Sequence, residues 1–228
     1  MTTMKKDTRA YDSRGRQAQA DRSRDAILDI AKNRFLANGY AATTMASIAA
    51  DAGVAVDTAH KAFGGKVGLA RAIFERGLAG EGMISAPQRS DDMQNVELDP
   101  RTVLHRWGMF STEVAPLVAP IYLLIREAAA ADPDMATLLA DSQHERRKRM
   151  RHNARTLADR GHLREGVTLE GATDMLWTYS SPELYELLVM NCGWDAARYG
   201  RFLGEALAAA LLDVSEPTNN QIAGRREP

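Results

Sequence analysis

The sequence predicts an all-α chain, and three observations predict it. Apolar residues recur at spacings of three and four, as in Ile27, Ala31 and Phe35, and no run alternates as a strand does. Alanine is abundant, whereas β-branched and aromatic residues are sparse, the aromatics reaching only 6%. Cap residues followed by proline, at Asp99-Pro100, Asp132-Pro133 and Ser181-Pro182, mark helix starts. With 228 residues, 45% of them apolar, the chain has ample material for a core in one large domain or two smaller ones.

Residues 1–21, with Lys5, Lys6, Arg9, Arg14 and Arg16 among polar neighbours, read as a disordered basic arm. A first helix begins at Arg22, turns Ile27, Ile30, Ala31 and Phe35 to one face, and stops at Gly39. Thr43 and Thr44 are cap candidates for a second, short helix, "MASIAADA", which Gly53 ends. The third is "VDTAHKAF", closed by Gly64-Gly65, and a fourth runs from Lys66 to about Ala79 with Leu69, Ile73 and Phe74 inward. Residues 80–99, holding glycines, Pro87 and mixed polar residues, read as a linker. Further helices are expected near 100–113, 116–130, 133–160, 168–179, 182–191 and 195–213. The tail 215–228 reads as disordered.

A net charge of −1 hides an asymmetry. Residues 1–66 carry 11 Lys/Arg against 7 Asp/Glu, a formal +4; residues 67–228 carry 18 against 23, a formal −5. A basic end can meet phosphates while an acidic remainder stays off them. The single cysteine, Cys192, excludes an internal disulfide and a cysteine-built zinc site, and fits a cytoplasmic protein. The longest uncharged apolar run, "VAPLVAPIYLLI", is too short and too proline-rich to cross a membrane, so no membrane partner is expected.

The stretch "DTAHKAFGGKVGL" invites a nucleotide-loop reading, which fails. If Gly65-Lys66 ended a Walker loop, its first glycine would fall on His60 and its metal-holding hydroxyl on Val67. A second pattern covers the same residues. "IAADAGVAVDTAHKAF" is two short helices joined by a glycine turn, the layout of a helix-turn-helix whose second helix enters a DNA major groove. Ile48, Ala49, Val54 and Phe63 would anchor it. An ordinary helical hairpin in an all-α domain carries the same periodicity.

Residues 22–74 together resemble the TetR family of bacterial transcriptional regulators. An amphipathic helix ends in "NGY", then come "TTMASIAADAGV", a short helix ending in "AF", "GGK" and an apolar helix. The resemblance implies a helix-turn-helix domain at 22–68, a larger helical ligand-binding and dimerisation domain at 69–214, and no enzyme activity or cofactor. It implies a ligand-responsive regulator, a repressor released from an inverted-repeat operator by a small apolar or aromatic effector. The partners would be double-stranded DNA, that effector and a second copy in a homodimer. By position it carries over Lys66 to a DNA phosphate, Thr44 and Ser47 to backbone oxygens at the second helix, and Asp57, Thr58 and Lys61 to the exposed recognition helix. The family often caps that helix with Ser or Thr, where this chain has Ala55, and often has tyrosine where this chain has His60. Asp57 could accept from a cytosine or cap the helix. These departures keep open a helical small-molecule-binding or adaptor protein that no longer binds DNA.

The most basic run, "HERRKRMRHNAR" at 144–155, is a phosphate patch or the solvated face of a long helix. His144 and His152 lie two turns apart with Lys148 between them, a poor metal site, and no metal ligand set is expected. No nucleophile elbow or other catalytic motif surrounds the serines and histidines. The aromatics of the second domain are core by spacing. The resemblance adds a cavity among its helices, with Trp107, Phe110, Tyr122, Trp177 and Tyr179 as candidate ligand contacts. The small-residue run "FLGEALAAALL" at 202–212 is, on the resemblance, a dimer face.

Overall fold

The computed structural model describes residues 8–80, 84–97 and 99–213. Among them the chain is helical and strand-free: α1 Thr8–Ala42, α2 Met45–Asp51, α3 Val56–Phe63, α4 Lys66–Ala79, α5 Ala86–Val96, α6 Pro100–Ala128, α7 Pro133–Asp159, α8 Leu169–Tyr179, α9 Pro182–Tyr185 and α10 Ala196–Leu211. A π-helical turn, Glu186–Asn191, continues α9.

The chain forms two compact units, Met1–Met83 with Pro116–Ser142, and Ile84–Ala115 with Gln143–Pro228. In the first unit the three short N-terminal helices are too small to close a core alone. Ile27, Phe35, Ile48, Phe63, Leu69 and Ile73 pack in one cluster with Ile121, Ile125 and Met135. Each such buried side chain stabilises by about 1.5–3 kcal/mol relative to exposure. In the second unit Leu104, Trp107, Ala154, Leu157, Leu176 and Leu211 form the corresponding cluster.

Several expectations are corrected. The first helix starts at Thr8 rather than Arg22; residues 1–7 lie outside the described residues. Gly15, Ala18, Gln19 and Ala20 in this part of the helix are exposed. Gly39, at φ 79°, breaks its last turn where the sequence placed the stop. The linker at 80–99 contains α5. Its buried stripe is Ala86, Ser90 and Gln94, four apart, and polar enough to escape an apolar-periodicity reading. The amide of Gln94 donates to Asn153 Oδ1 at 3.1 Å. The helices expected at 100–113 and 116–130 are one, α6, running through Pro116 and Pro120. Proline removes a helix bond, but Val118, Ala119, Ile121 and Tyr122 around these prolines are buried, and packing overrides propensity. By length and composition α6 could cross a membrane. Val103, Leu104 and Trp107 of α6 lie in one core cluster and Ile121, Leu124 and Ile125 in the other. The tail at 215–228 lies outside the described residues.

The small-residue face of α10 is buried within the chain, with Ala208 only 1% exposed. It is not a free dimer surface. Gly200 and Gly204 of α10 meet Gly108 of α6 backbone to backbone. A Cβ at Gly108 would stand 2.3 Å from the Gly200 carbonyl oxygen and 2.7 Å from the Gly204 nitrogen. Neither backbone atom can yield cheaply, so Gly108→Ala should destabilise by about 1–3 kcal/mol. A Cβ at Gly15 meets nothing within 4 Å, so Gly15→Ala should be neutral or stabilise by up to about 1 kcal/mol. Urea midpoints at constant m-value check both.

Candidate nucleic-acid interface

The site is built on α2, α3 and the two turns around them. Thr44 caps α2: its Oγ1 accepts from the Ser47 N–H at 3.1 Å, while the Thr44 N–H donates to Ser47 Oγ at 3.3 Å. This reciprocal box satisfies two helix-end donors. The two hydroxyls are not equivalent. Ser47 Oγ donates its proton to the Thr44 carbonyl at 2.9 Å. The Thr44 hydroxyl proton has no acceptor among the described residues, so Thr44 can donate to an external oxygen without giving up its cap.

The α2–α3 turn needs Gly53, whose φ of 65° is left-handed. On α3, Ala59 and Phe63, four apart, are buried, whereas Asp57, Thr58, His60 and Lys61 are exposed. One face anchors the helix and the other is a polar row open to solvent. The N-cap is Ala55, which makes no side-chain cap bond. Asp57 is not the cap residue; it sits in the first turn, where its charge favours the helix dipole. At the other end Arg24 of α1 donates to the Ala62 carbonyl at 2.7 Å, and its guanidinium lies 4.2 Å over the Phe63 ring. Arg34 ties α1 to Asp51 at 2.6 Å, and this bond holds the Asp51 carboxyl below the usual carboxylate range.

Gly64 and Gly65, at φ 75° and 132°, turn the chain into α4. Lys66 then points inward. Its Nζ donates to the Tyr40 carbonyl at 2.9 Å and lies 4.1 Å from the centre of the Tyr40 ring. The Tyr40 hydroxyl donates to Asp132 at 3.1 Å, and Asp132 accepts from the Asp134 and Met135 N–H groups that start α7. Burial and Asp132 push the Tyr40 phenol far above its ordinary pKa. Burial pushes the Asp132 carboxyl up, but the Met135 N–H, the Tyr40 hydroxyl, the Asp134 N–H and Lys66 outweigh it and hold the carboxyl below the usual range. Tyr40 and Asp132 were missed as partners from sequence, although Tyr40 stands in the quoted "NGY" and Asp132 in a recognised cap pair.

The candidate ligand residues are dispersed. An open groove of about 550 Å³ lies between α5 and α6, floored by Met93, Met109 and Phe110 and rimmed by Arg89, His105 and Arg106. Of the five aromatics, Phe110 lines it. Arg89 stacks 4.7 Å over the Phe110 ring and pairs with Glu113. Trp107 is buried in the core of the second unit, its Nε1 without a hydrogen-bond partner. Trp177 lies under the Arg146 guanidinium at 4.7 Å, and Tyr179 packs edge-on to Phe202 at 6.3 Å. Tyr122 belongs to the first unit, 6.5 Å from Phe74.

The basic run on α7 is engaged by carboxylates. Arg147 pairs with Asp174, Arg151 with Glu170, and Arg149 with Asp91 at 2.6 Å, which also meets His152 at 3.1 Å. These pairs dock α7 on α8 and α5 rather than present a phosphate patch. Among the described residues no group of three or more His, Cys, Asp or Glu could hold a metal ion.

Residues 27–73 match the family model for bacterial regulatory proteins of the tetR family. No curated protein matches the chain. Among solved structures it is similar to SmeT in complex with triclosan, at 22% identity over 90% of this chain and 99% of that one, TM-score 0.66. It is similar also to native NalD, the secondary repressor of the MexAB-OprM multidrug efflux pump in Pseudomonas aeruginosa, at 17% identity over 87% and 100%, TM-score 0.69. The fatty acid degradation regulator FadR from Bacillus halodurans aligns at 18% identity over 81% and 94%, TM-score 0.65. At these identities the likeness is one of fold.

The inward pose of Lys66 makes it a structural tie whatever else it touches. Lys66→Ala should lower stability by about 1–3 kcal/mol, from the loss of a charge-assisted bond and a cation–π contact. Lys61→Ala, on the exposed row, should change it by less than about 0.5 kcal/mol. Unfolding in urea without DNA separates the two.

Proposed function

We propose that the chain is a ligand-responsive transcriptional repressor of the TetR family, whose family model residues 27–73 match. The observation that carries the reading is the two-faced α3: Ala59 and Phe63 anchor it while Asp57, Thr58, His60 and Lys61 stand exposed together. Such a helix enters a major groove and offers its row to base edges. Thr44 donates to a phosphate oxygen beside it. Ser47 supports α2 and reaches the backbone only by exchanging its bond to the Thr44 carbonyl. Lys66 holds the turn and offers its remaining ammonium protons to a phosphate. The regulator acts in the cytoplasm as a homodimer, so its operator is an inverted repeat with half-sites one or more helical turns apart.

The effector in this reading is a small, largely apolar or aromatic molecule with a polar group. The groove between α5 and α6 suits one, since about 550 Å³ is within the range of ligand sites and its apolar floor is rimmed by charge. Phe110 offers a ring face there. The solved SmeT structure holds triclosan, which supports a small effector of this kind for the present chain. The effector releases DNA only if it prefers a conformation that does not fit the operator.

Selection of bound fragments from genomic DNA should recover inverted repeats. Affinity for them should fall steeply with salt, log K dropping about 0.9 per neutralised phosphate for each tenfold rise. An effector found by release of that DNA should bind about 5–150-fold more weakly when operator is saturating, because coupling is reciprocal. Phe110→Ala should weaken effector and leave operator affinity unchanged. Recovery of no DNA, with small-molecule binding intact, would instead favour an adaptor that has lost DNA binding.

A further inference from the structure

We propose that Val56, the first residue of α3, selects a thymine by packing its methyl groups on the C5-methyl of that base in the major groove. The proposal rests on the reading of α3 as the DNA-reading helix, and adds a contact that the polar row cannot make. Of the two large apolar side chains of α3, Phe63 is buried and Val56 is 39% exposed. Val54, two residues earlier, and Ala62 pack against the core of the first unit, and Val56 does not. Nor does Val56 serve the helix itself. Valine loses rotamer freedom in a helix and ranks below alanine as a helix former. The N-cap before it, Ala55, makes no side-chain cap bond, which forgoes about 0.5–2 kcal/mol relative to Ser, Thr, Asn or Asp. The start of α3 is thus apolar and exposed, where the stability of the isolated unit favours a polar residue. The first residues of a recognition helix are the ones that reach base edges.

Chemistry then selects the partner. Valine has neither donor nor acceptor, so it reads no ring nitrogen, carbonyl or amino group. Across the four base pairs the major groove presents one apolar group, the thymine C5-methyl. The polar row covers the rest of the code: the Asp57 carboxylate accepts, the Thr58 hydroxyl does both, and the Lys61 ammonium donates. Val56 stands one turn before His60, at the edge of that row. Its stiff χ1 holds the methyl groups in place before contact, so little freedom is lost on binding. Lys61 is about 7.5 Å further along the helix axis. At about 3.4 Å per base step, the thymine falls within about three base pairs of the base met by Lys61.

The test uses the full chain and a selected operator in which each thymine is replaced in turn by deoxyuridine. That exchange removes the C5-methyl and leaves base pairing intact. Wild type should lose about fourfold in affinity per half-site at one thymine position, the worth of one buried methyl-sized group. Val56→Ala should bind thymine and deoxyuridine operators equally at that position and keep the wild-type loss when the guanine opposite Lys61 is changed. Val56→Thr, which retains one methyl, should keep part of the thymine preference. Wild type without preference at any thymine overturns the inference, as does a preference that survives in Val56→Ala. An equal loss by Val56→Ala on both operators also overturns it, by making Val56 a support for α3 and not a methyl contact. In each of these cases the reading of α3 stands on the guanine coupling of Lys61. Failure of the wild type to bind any selected fragment overturns the α3 reading and this inference with it.

Discussion

The Lys66 ammonium is the point on which the first unit turns. It sits against the carbonyl and ring of Tyr40, whose hydroxyl reaches Asp132, the residue that caps α7. One chain of contacts thus joins the end of α1, the start of α4 and the start of α7. The position of α3 follows from it, because α3 is held between the Gly53 turn and the Gly64-Gly65 turn that Lys66 closes. The carboxyl of Asp132 is held below the ordinary range. By linkage its contribution to stability is present above the unfolded carboxylate pKa and is lost as pH falls through the folded value. Arg34–Asp51 and Arg24–Ala62 add ties from α1 to α2 and α3, with exposed partners that weigh less.

The rest of the first unit supplies apolar mass to this frame. A helix-turn-helix of short elements has little to bury, and Ile121, Ile125, Met135 and Leu138 from α6 and α7 complete its core. The second unit achieves density differently. Gly108, Gly200 and Gly204 bring α6 and α10 to backbone contact, while Gln94 and Asn153 place a hydrogen-bonded pair between α5 and α7. The arginines of α7 are used for docking. They meet Asp91, Glu170 and Asp174 on neighbouring helices.

Legibility in the sequence tracked how each element is specified. α2, α3 and α4 were readable almost to the residue because Thr44, Gly53 and Gly64-Gly65 mark their ends chemically. α5 was hidden because its buried stripe is Ser and Gln, and burial of polar residues leaves no apolar period. α6 looked like two helices because two prolines outweighed, on paper, the packing that carries the helix through them. The small face of α10 was readable as a close-approach surface but not as facing its own chain. At the site, the exposed row on α3 was expected from the family resemblance rather than from spacing. The inward turn of Lys66 was not, since a lysine beside a glycine turn gives no sign of a carbonyl 26 residues earlier in the chain.

The central claim is that the exposed row of α3 reads base edges, and coupling between Lys61 and a base measures it most directly. Binding of wild type and Lys61→Ala would be measured on a selected operator and on variants substituted one base pair at a time. The account predicts that Lys61→Ala costs about 1–3 kcal/mol on the operator and little on the variant lacking one particular guanine. An equal loss on every variant would make Lys61 a backbone contact and contradict base reading at its position.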